Sequence, residues 1–323
     1  MEKVAHLPAI RPLLRIKKCE KLLSAFGPKL RRLINPETGR LHPKYNVAGT
    51  KAGRWTCSDP NIQQLPKDAE TRRIVVAAPG HVLVGADYSQ MELRAAAWVS
   101  EDAELTAAYE QGLDVHVLTA AAINGIEPEQ VTPGQRYAAK AVNFGSIYGM
   151  SPKGLAAVAW SGYGLKLSEA AAELALDRFF AKYSGLRRWM RTHADQCQRE
   201  RRVGIGAGRA VEAAWEPFGL RYTQMCNLPV QGICADCMMR AIAYVHADLG
   251  GALVAMVHDE LIAGVPANGA EAAAETLKAC LHRAFVETFP GAPTAGLIDA
   301  HRGASWAELK GSAPSQQSAE PRQ

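Results

Sequence analysis

Apolar and polar positions fall into long helical blocks separated by short, strongly apolar runs. Residues 7–33 read as helical and basic. The chain from Gln90 to about Ser184 reads as helical and Ala-rich, and further helices are expected over 225–249 and 270–288. Two short runs have the signature of tight hairpins. The first, RIVVAAPGHVLVGAD, hinges at Pro79-Gly80 and places Val82, Val84 and Ala86 on one face, with Leu83, Gly85 and Asp87 on the other. The second, ALVAMVHDELIAGV, has His258 and Asp259 at its turn. INPETGRLHPKYN breaks the first helix with Pro36, Gly39 and Pro43, and VAGTKAGRWTCSDPNIQQLPKD reads as an extended loop. The tail GSAPSQQSAEPRQ is expected to be disordered. Hairpins separated by a long helical insertion predict an α+β protein, with a helical subdomain spliced into a sheet domain.

Composition narrows the setting. The chain has 323 residues, 48% hydrophobic and 21% charged, the balance of a globular protein with a real core. It has no run of the ~18 apolar residues that span a bilayer and no signal-peptide pattern at its start, so a cytoplasmic protein without a membrane partner is expected. Seven scattered cysteines do not form a disulfide framework. Cys234 and Cys237 make a CxxC inside a helical stretch, but no second ligand pair accompanies them, which favours packed thiols over zinc. The net charge of +5 is a weak signal, and its distribution says more. Residues 1–40 hold ten Lys or Arg against Glu2, Glu20 and Glu37. A second basic stretch contains Arg187, Arg188, Arg191, Arg199, Arg201, Arg202 and Arg209. Both suit a phosphate-backbone partner or equally solvated helix faces, and composition does not choose between them.

Candidate chemistry centres on two acids. Asp87 ends an apolar strand, where the chain turns into SQMELRAAAW, and Asp259 sits at a hairpin turn. A carboxylate at the lip of a buried strand is costly unless it is paired, hydrogen-bonded or bound to metal. Two such groups on rigid strands could hold hard divalent cations. Position alone equally fits ordinary turn or capping residues. A second pattern lies between them. Thr132-Pro133 with Gln135 predicts a helix start with a capping box. From there Arg136, Lys140, Phe144 and Tyr148 recur every four residues as one slowly drifting stripe. Cations followed by rings suit a nucleotide's triphosphate, sugar and base.

The neighbouring residues add a resemblance. DYSQMELR, RYAAKAVNFGSIYG and VHDE, in that order, resemble the three motifs of family A DNA polymerases, the group of bacterial DNA polymerase I and many phage replicases. TGRLHPKYN, AGRWTCSDPNIQQLP, LDVH and NLPVQG extend the likeness across roughly residues 7–310. It implies a right-hand polymerase architecture, with an antiparallel-sheet palm, a helical fingers insertion and a reduced thumb. The corresponding division is a thumb-base segment at 1–34, palm at 35–92 and 226–311, fingers at 93–225 with the motif B helix at about 132–150, and a tail at 312–323. The implied activity is template-directed addition of dNTPs to a primer on primer–template DNA. The implied cofactor is a pair of Mg²⁺ ions, with Mn²⁺ as a substitute.

The resemblance also implies roles. Asp87 and Asp259 become catalytic metal ligands, with the Tyr88 carbonyl as an extra ligand. Arg136 and Lys140 would neutralise the triphosphate, Lys140 with a catalytic part. Phe144 would lie against sugar and base, Tyr148 would stack at the template position, and Gly149 would allow close backbone approach. His116 resembles a further phosphate contact. Arg54, Gln231, His258 and Asn227 resemble DNA contacts, and Gln90 and Arg94 support the nucleotide site. Glu92 has two readings: Ser89-x-x-Glu92 is a capping box, while in the resembled family this Glu blocks a 2′-hydroxyl together with the Phe144 equivalent. The departure lies at the front, where no acidic exonuclease motifs and only the base of a thumb are found. Proofreading is therefore not expected in this chain, and a processivity factor or thumb-supplying partner protein is.

Overall fold

A strand that is apolar on both faces must be covered on both faces, and the fold is organised around one such strand. The computed structural model describes residues 10–47, 49–66 and 68–310. The expected disordered tail and the first nine residues of the expected thumb-base segment lie outside the described residues. Strands are β1 (Lys44–Asn46), β2 (Thr56–Ser58), β3 (His81–Tyr88), β4 (Arg202–Gly204), β5 (Ala210–Glu212), β6 (Leu253–Val257), β7 (Glu260–Pro266) and β8 (Ile298–Gly303). Helices before the insertion are α1 (Ile10–Phe26), α2 (Pro28–Arg32) and α3 (Ala69–Arg72). The insertion carries α4 (Met91–Ser100), α5 (Ala103–Glu110), α6 (Val115–Asn124), α7 (Pro133–Ile147), α8 (Pro152–Tyr163), α9 (Glu169–Lys182) and α10 (Ser184–Glu200). It is followed by α11 (Tyr222–Leu249) and α12 (Ala270–Thr288).

The main sheet has the order β6-β7-β3-β8 and is antiparallel throughout. Along β3, Val84, Ala86 and Tyr88 join Leu261 and Ala263 against Leu277, Leu281 and Phe285 of α12. Leu83 faces the other way and packs with Val257, Ile262, Trp306 and Leu309. Burying each Val or Leu fully contributes roughly 1.5–3 kcal/mol, so the strand is fixed from both sides. The Tyr88 hydroxyl donates to the Leu281 carbonyl at 2.6 Å, which satisfies its polar atom within the core. The inserted helices pack on each other around α7, with Leu155, Phe179 and Tyr183 fully buried.

Several expectations hold. The α+β class, the β6–β7 hairpin with its turn at His258 and Asp259, and the helix at 270–288 are all present. The capping box of α7 forms as its spacing predicts: Thr132 Oγ1 accepts from the Gln135 amide, and Gln135 Oε1 accepts from the Thr132 amide. Cys234 and Cys237 are buried and unlinked, as packed thiols.

Other expectations are corrected. The run before Pro79-Gly80 makes the turn but does not pair with β3. It bridges instead to the segment after β8, with Val76 opposite Ser305 and the Trp306 amide donating to Val75. The partners of β3 are β7 and β8, because its two apolar faces demand a central position that a two-stranded hairpin cannot supply. The basic helix expected at 7–33 breaks at Gly27, and the expected loop at 47–68 contributes β2, which pairs with β1. Strand β8 was not anticipated. Among the described residues no helix is long and apolar enough to cross a membrane.

Helix α11 runs through Pro229 and packs tightly on the β4–β5 segment at Gly232. A Cβ there would lie 1.8 Å from the Ile205 carbonyl oxygen, which is backbone and cannot yield locally. Gly134, near the start of α7, has nothing within 4 Å of its Cβ position. Gly232→Ala is therefore expected to lower the unfolding free energy by about 2–4 kcal/mol, and Gly134→Ala to raise it by up to about 1 kcal/mol. Urea denaturation of both variants measures the contrast.

Candidate active site

Strand pairing brings the two acids together. Asp87 lies opposite Glu260 on β7 and opposite Asp299 on β8. Asp259 immediately precedes Glu260, and its carbonyl accepts the Tyr88 amide at 3.2 Å. Asp87, Asp259 and Asp299 line one cavity of about 880 Å³ between the sheet's end and α7. The same cavity is lined by Lys140 and Phe144 from α7, by Tyr148 at its C-terminal end, and by Tyr88, Gln90, Glu92, His116, Arg54 and His258. Every one of these except Asp299 was named from the sequence.

Five named residues lie off that lining: Arg136, Gln231, Asn227, Gly149 and Arg94. Arg136 pairs with Asp114 at 2.6 Å. Burial opposes ionisation of Asp114, yet the Arg136 hydrogen bond and charge hold its carboxyl below the ordinary range. Gln231 reaches the Tyr148 hydroxyl from α11. Asn227 keeps a buried, unpartnered Oδ1. Gly149 has φ +66°, and its missing Cβ makes room for the Tyr222 ring and the Cys226 sulfur.

The Ser89-to-Glu92 capping box does not form. Gln90 takes the cap position of α4 in the left-handed region, at φ 56°, with no side-chain cap bond. The Ser89 amide donates instead to Leu297 at 2.8 Å. Glu92 is consequently released toward the cavity, where its carboxylate accepts from the Arg54 guanidinium on one oxygen and from the Tyr148 hydroxyl on the other. A carboxylate fixed by two donors from two elements is a rigid wall. Gln90 accepts from the Tyr109 hydroxyl at 3.1 Å. Arg94 stacks on Tyr109 and donates to the Ser89, Pro293 and Ala295 carbonyls, bracing the approach to β8.

His116 is held by a buried relay. The Tyr183 hydroxyl meets Thr119 Oγ1 at 3.3 Å, and Thr119 donates to Asn143 Oδ1 at 2.8 Å. This orientation turns the Asn143 amide NH₂ to His116 Nδ1 at 2.7 Å. Nδ1 therefore accepts, and the ring's proton sits on Nε2. Burial, aided by the Lys140 and Arg136 charges and opposed by Asp114, drops the imidazole pKa to about 4. His116 is thus a neutral donor beside Lys140.

The donor set suits hard cations. Asp87, Asp259 and Asp299 offer oxygen only, the chemistry Mg²⁺ prefers. Among the described residues, no group of three or more His, Cys, Asp or Glu side chains converges closely enough to hold an ion by itself. Two carboxylates with the remaining ligands from substrate phosphate and water is a common Mg²⁺ arrangement, so the residues fit.

A family model described as DNA polymerase family A matches residues 1–308. The chain belongs to DNA polymerase family A. DNA polymerase I of Chloroflexus aurantiacus is 36% identical over 293 residues, covering 86% of this chain and 30% of that protein. DNA polymerase I of Pseudomonas aeruginosa is 36% identical over 320 residues, 94% of this chain and 33% of that protein. A solved structure described as the POL domain of Pol1 from M. smegmatis, in complex with DNA primer-template and dNTP, superposes with a TM-score of 0.82 at 26% identity. That match covers 94% of this chain and 54% of the other. The right-hand α+β polymerase fold expected from the motifs is therefore present. The chain spans about a third of the length of the curated family A relatives it matches.

Two features of the site escaped sequence reasoning. Asp299 was missed because β8 was missed, although Ile298 to Ala300 does alternate in the manner of a strand. Arg72 stacks on Trp306 at 4.4 Å, and its charge faces Glu260 and Asp87. Nothing local marks a buried arginine.

The depressed His116 pKa has a stability consequence. Between about pH 6.5 and 4 the unfolded chain takes up a proton that the folded chain refuses, so this contribution is full above the upper value and is lost as pH falls. From pH 7 to 4.5, wild type should lose up to ~2.5 kcal/mol more unfolding free energy than His116→Gln. Denaturant titrations at the two pH values check the difference.

Proposed function

We propose that this chain catalyses template-directed addition of dNTPs to a primer 3′-OH. The observation that carries the reading is the meeting of Asp87, near the end of β3, and Asp259, in the β6–β7 turn, in one cavity with Lys140. Family membership and the DNA- and dNTP-bound relative support it. Asp87 and Asp259, with the Tyr88 backbone carbonyl, would hold two Mg²⁺ ions, Mn²⁺ being a substitute. When bound, such ions supply activation of the attacking hydroxyl and neutralisation of the leaving pyrophosphate.

The chain's own side chains do the rest. Lys140 meets the triphosphate from α7, and Arg136 exchanges Asp114 for phosphate. His116 donates from Nε2 as a neutral group, so it orients phosphate without adding charge. Phe144 lies against the sugar and base, and Tyr148 guards the template position. Arg54, His258, Gln231, Asn227 and Gly149 face DNA or support residues that do. The sheet is the palm and the helices around α7 are the fingers. The boundaries proposed at 92/93 and 225/226 run through α4 and α11, so these helices tie the two lobes together. The setting is the bacterial cytoplasm or that of a phage-infected host, at the nucleoid.

Primer extension with Mg²⁺ and dNTPs on a primed template tests the reading. Asp87→Asn and Asp259→Asn should each lower the rate by at least ~10³-fold while circular dichroism and DNA binding persist. Extension that survives either substitution would refute it.

Sugar selection follows from the Glu92 clamp. Removing the carboxylate in Glu92→Ala should raise ribonucleotide insertion relative to dNTP insertion by about ten-fold or more. Tyr148→Phe, which loosens only one of its two anchors, should raise it less. Single-nucleotide insertion kinetics with dNTP and NTP pairs give both ratios.

A further inference from the structure

The active cavity leaves unexplained the barest apolar groups of the chain. Phe218 is 95% exposed and Trp215 68%, the two highest values among large apolar side chains of the described residues. Both sit in the loop between β5 and α11, and Tyr222, 44% exposed, follows at the first turn of α11.

The loop is anchored. Glu216, between the two rings, is clamped by Lys51 and accepts from Gln224 Nε2 at 2.9 Å. The Gly219 amide donates to the Glu216 carbonyl at 3.0 Å, and the Arg221 amide to Gln224 Oε1 at 2.9 Å. Beneath the rings, Ala213, Leu220 and Met225 are buried in a small core of their own with Ala52. The rings are thus held outward by a built turn, and little ordering remains to oppose binding.

Charge and continuity indicate the ligand. Arg187 and Arg191 of α10 act on Tyr222, and Arg221 is exposed in the loop itself. Most acids nearby are engaged, Glu216 by Lys51, Glu212 by Arg202 at 3.6 Å and Asp177 by Arg187 at 3.7 Å, and Glu173 shares a pocket with Arg187, Arg191 and Tyr222. The Tyr222 ring abuts Gly149, next to Tyr148 at the cavity wall, so the aromatic row starts where the cavity ends. On the other side, Lys51 lies on the turn that carries Arg54 into the cavity.

We propose that Trp215, Phe218 and Tyr222 form a stacking platform for single-stranded DNA, the unpaired template that has yet to enter the cavity. This rests on the polymerase reading. Exposed rings accept the faces of unpaired bases, and guanidinium and ammonium groups meet the phosphates between them. Duplex DNA presents no free base faces and gains nothing from such rings.

The test uses the full chain and two primer–templates with identical duplexes, one with a single unpaired template nucleotide and the other with roughly ten. Fluorescence anisotropy gives affinity, and primer extension gives rate. Wild type should bind the long overhang about ten-fold tighter or more than the short one. The double variant Trp215→Ala/Phe218→Ala should erase that difference while leaving short-overhang binding and extension unchanged. Trp215→Phe, which keeps a ring, should retain most of it. Equal affinities in wild type, a difference that survives the double variant, or a double variant that also loses the short overhang would each overturn the platform. Failure of wild type to extend either primer would sink the polymerase reading instead, and the anisotropy contrast would still report on the rings.

Discussion

The site depends on one constraint: β3 is held inside the sheet, paired with β7 on one side and β8 on the other. Cross-strand neighbours on a pleated sheet point to the same face, so this pairing sets Glu260, Asp87 and Asp299 in a row at one end. Three acids side by side repel one another and would fray an isolated hairpin. Here both faces of the strand are packed, and the apolar burial outweighs the repulsion. Arg72 offsets part of it. Burial lowers its pKa while Glu260, Asp87 and Asp68 pull in the opposite direction, and the guanidinium rests on Trp306, whose indole NH also reaches Glu260 at 3.3 Å. Glu260 is thereby turned into the protein, and Asp87 and Asp299 are left lining the cavity.

The opposite wall is built by a different means. Helix α7 positions Lys140 and Phe144 through its own periodicity, but the side chains around it are fixed by buried polar contacts that are costly to leave half made. Glu92 is gripped by Arg54 from the loop between β1 and β2 and by Tyr148 at the end of α7, so one carboxylate ties these two segments together. His116 is set by Asn143, which is itself set by Thr119 and Tyr183. His116 touches the cavity and is oriented by residues that do not, whereas Glu92 is oriented by two that line the cavity with it.

How much of this was legible in the sequence follows from the range of each interaction. The capping box of α7 was readable because Thr132 and Gln135 satisfy each other three residues apart. The β6–β7 hairpin was readable because its turn joins its own partners. The hairpin assigned at Pro79-Gly80 failed on the same logic: the turn is real, but β3 has apolar residues on both faces and takes its partners from the other end of the chain. Ser89 and Glu92 had equally good local spacing, and the box lost because Gln90 adopts the left-handed conformation and Arg54 and Tyr148 claim the carboxylate. The cavity lining was mostly legible through motif resemblance, which stores long-range pairing that spacing alone does not. Asp299 and Arg72 lie outside those motifs and have no local signature.

Arg136 shows why a stripe read on a helix differs from a site. Its position on α7 puts it in line with Lys140, Phe144 and Tyr148, yet its guanidinium turns away to Asp114, the cap of α6. The pair is partly exposed, with 40% of the Arg136 side chain accessible, so solvent screens it and the attraction is modest. A triphosphate carries more charge than one carboxylate and offers bidentate oxygens, so it competes well for the same guanidinium. Releasing Asp114 would in turn loosen the start of α6, whose first amides it caps at 2.8 and 3.3 Å, and α6 carries His116. Any anion that draws Arg136 away therefore acts on the helix that carries His116, through a carboxylate that does not itself line the cavity.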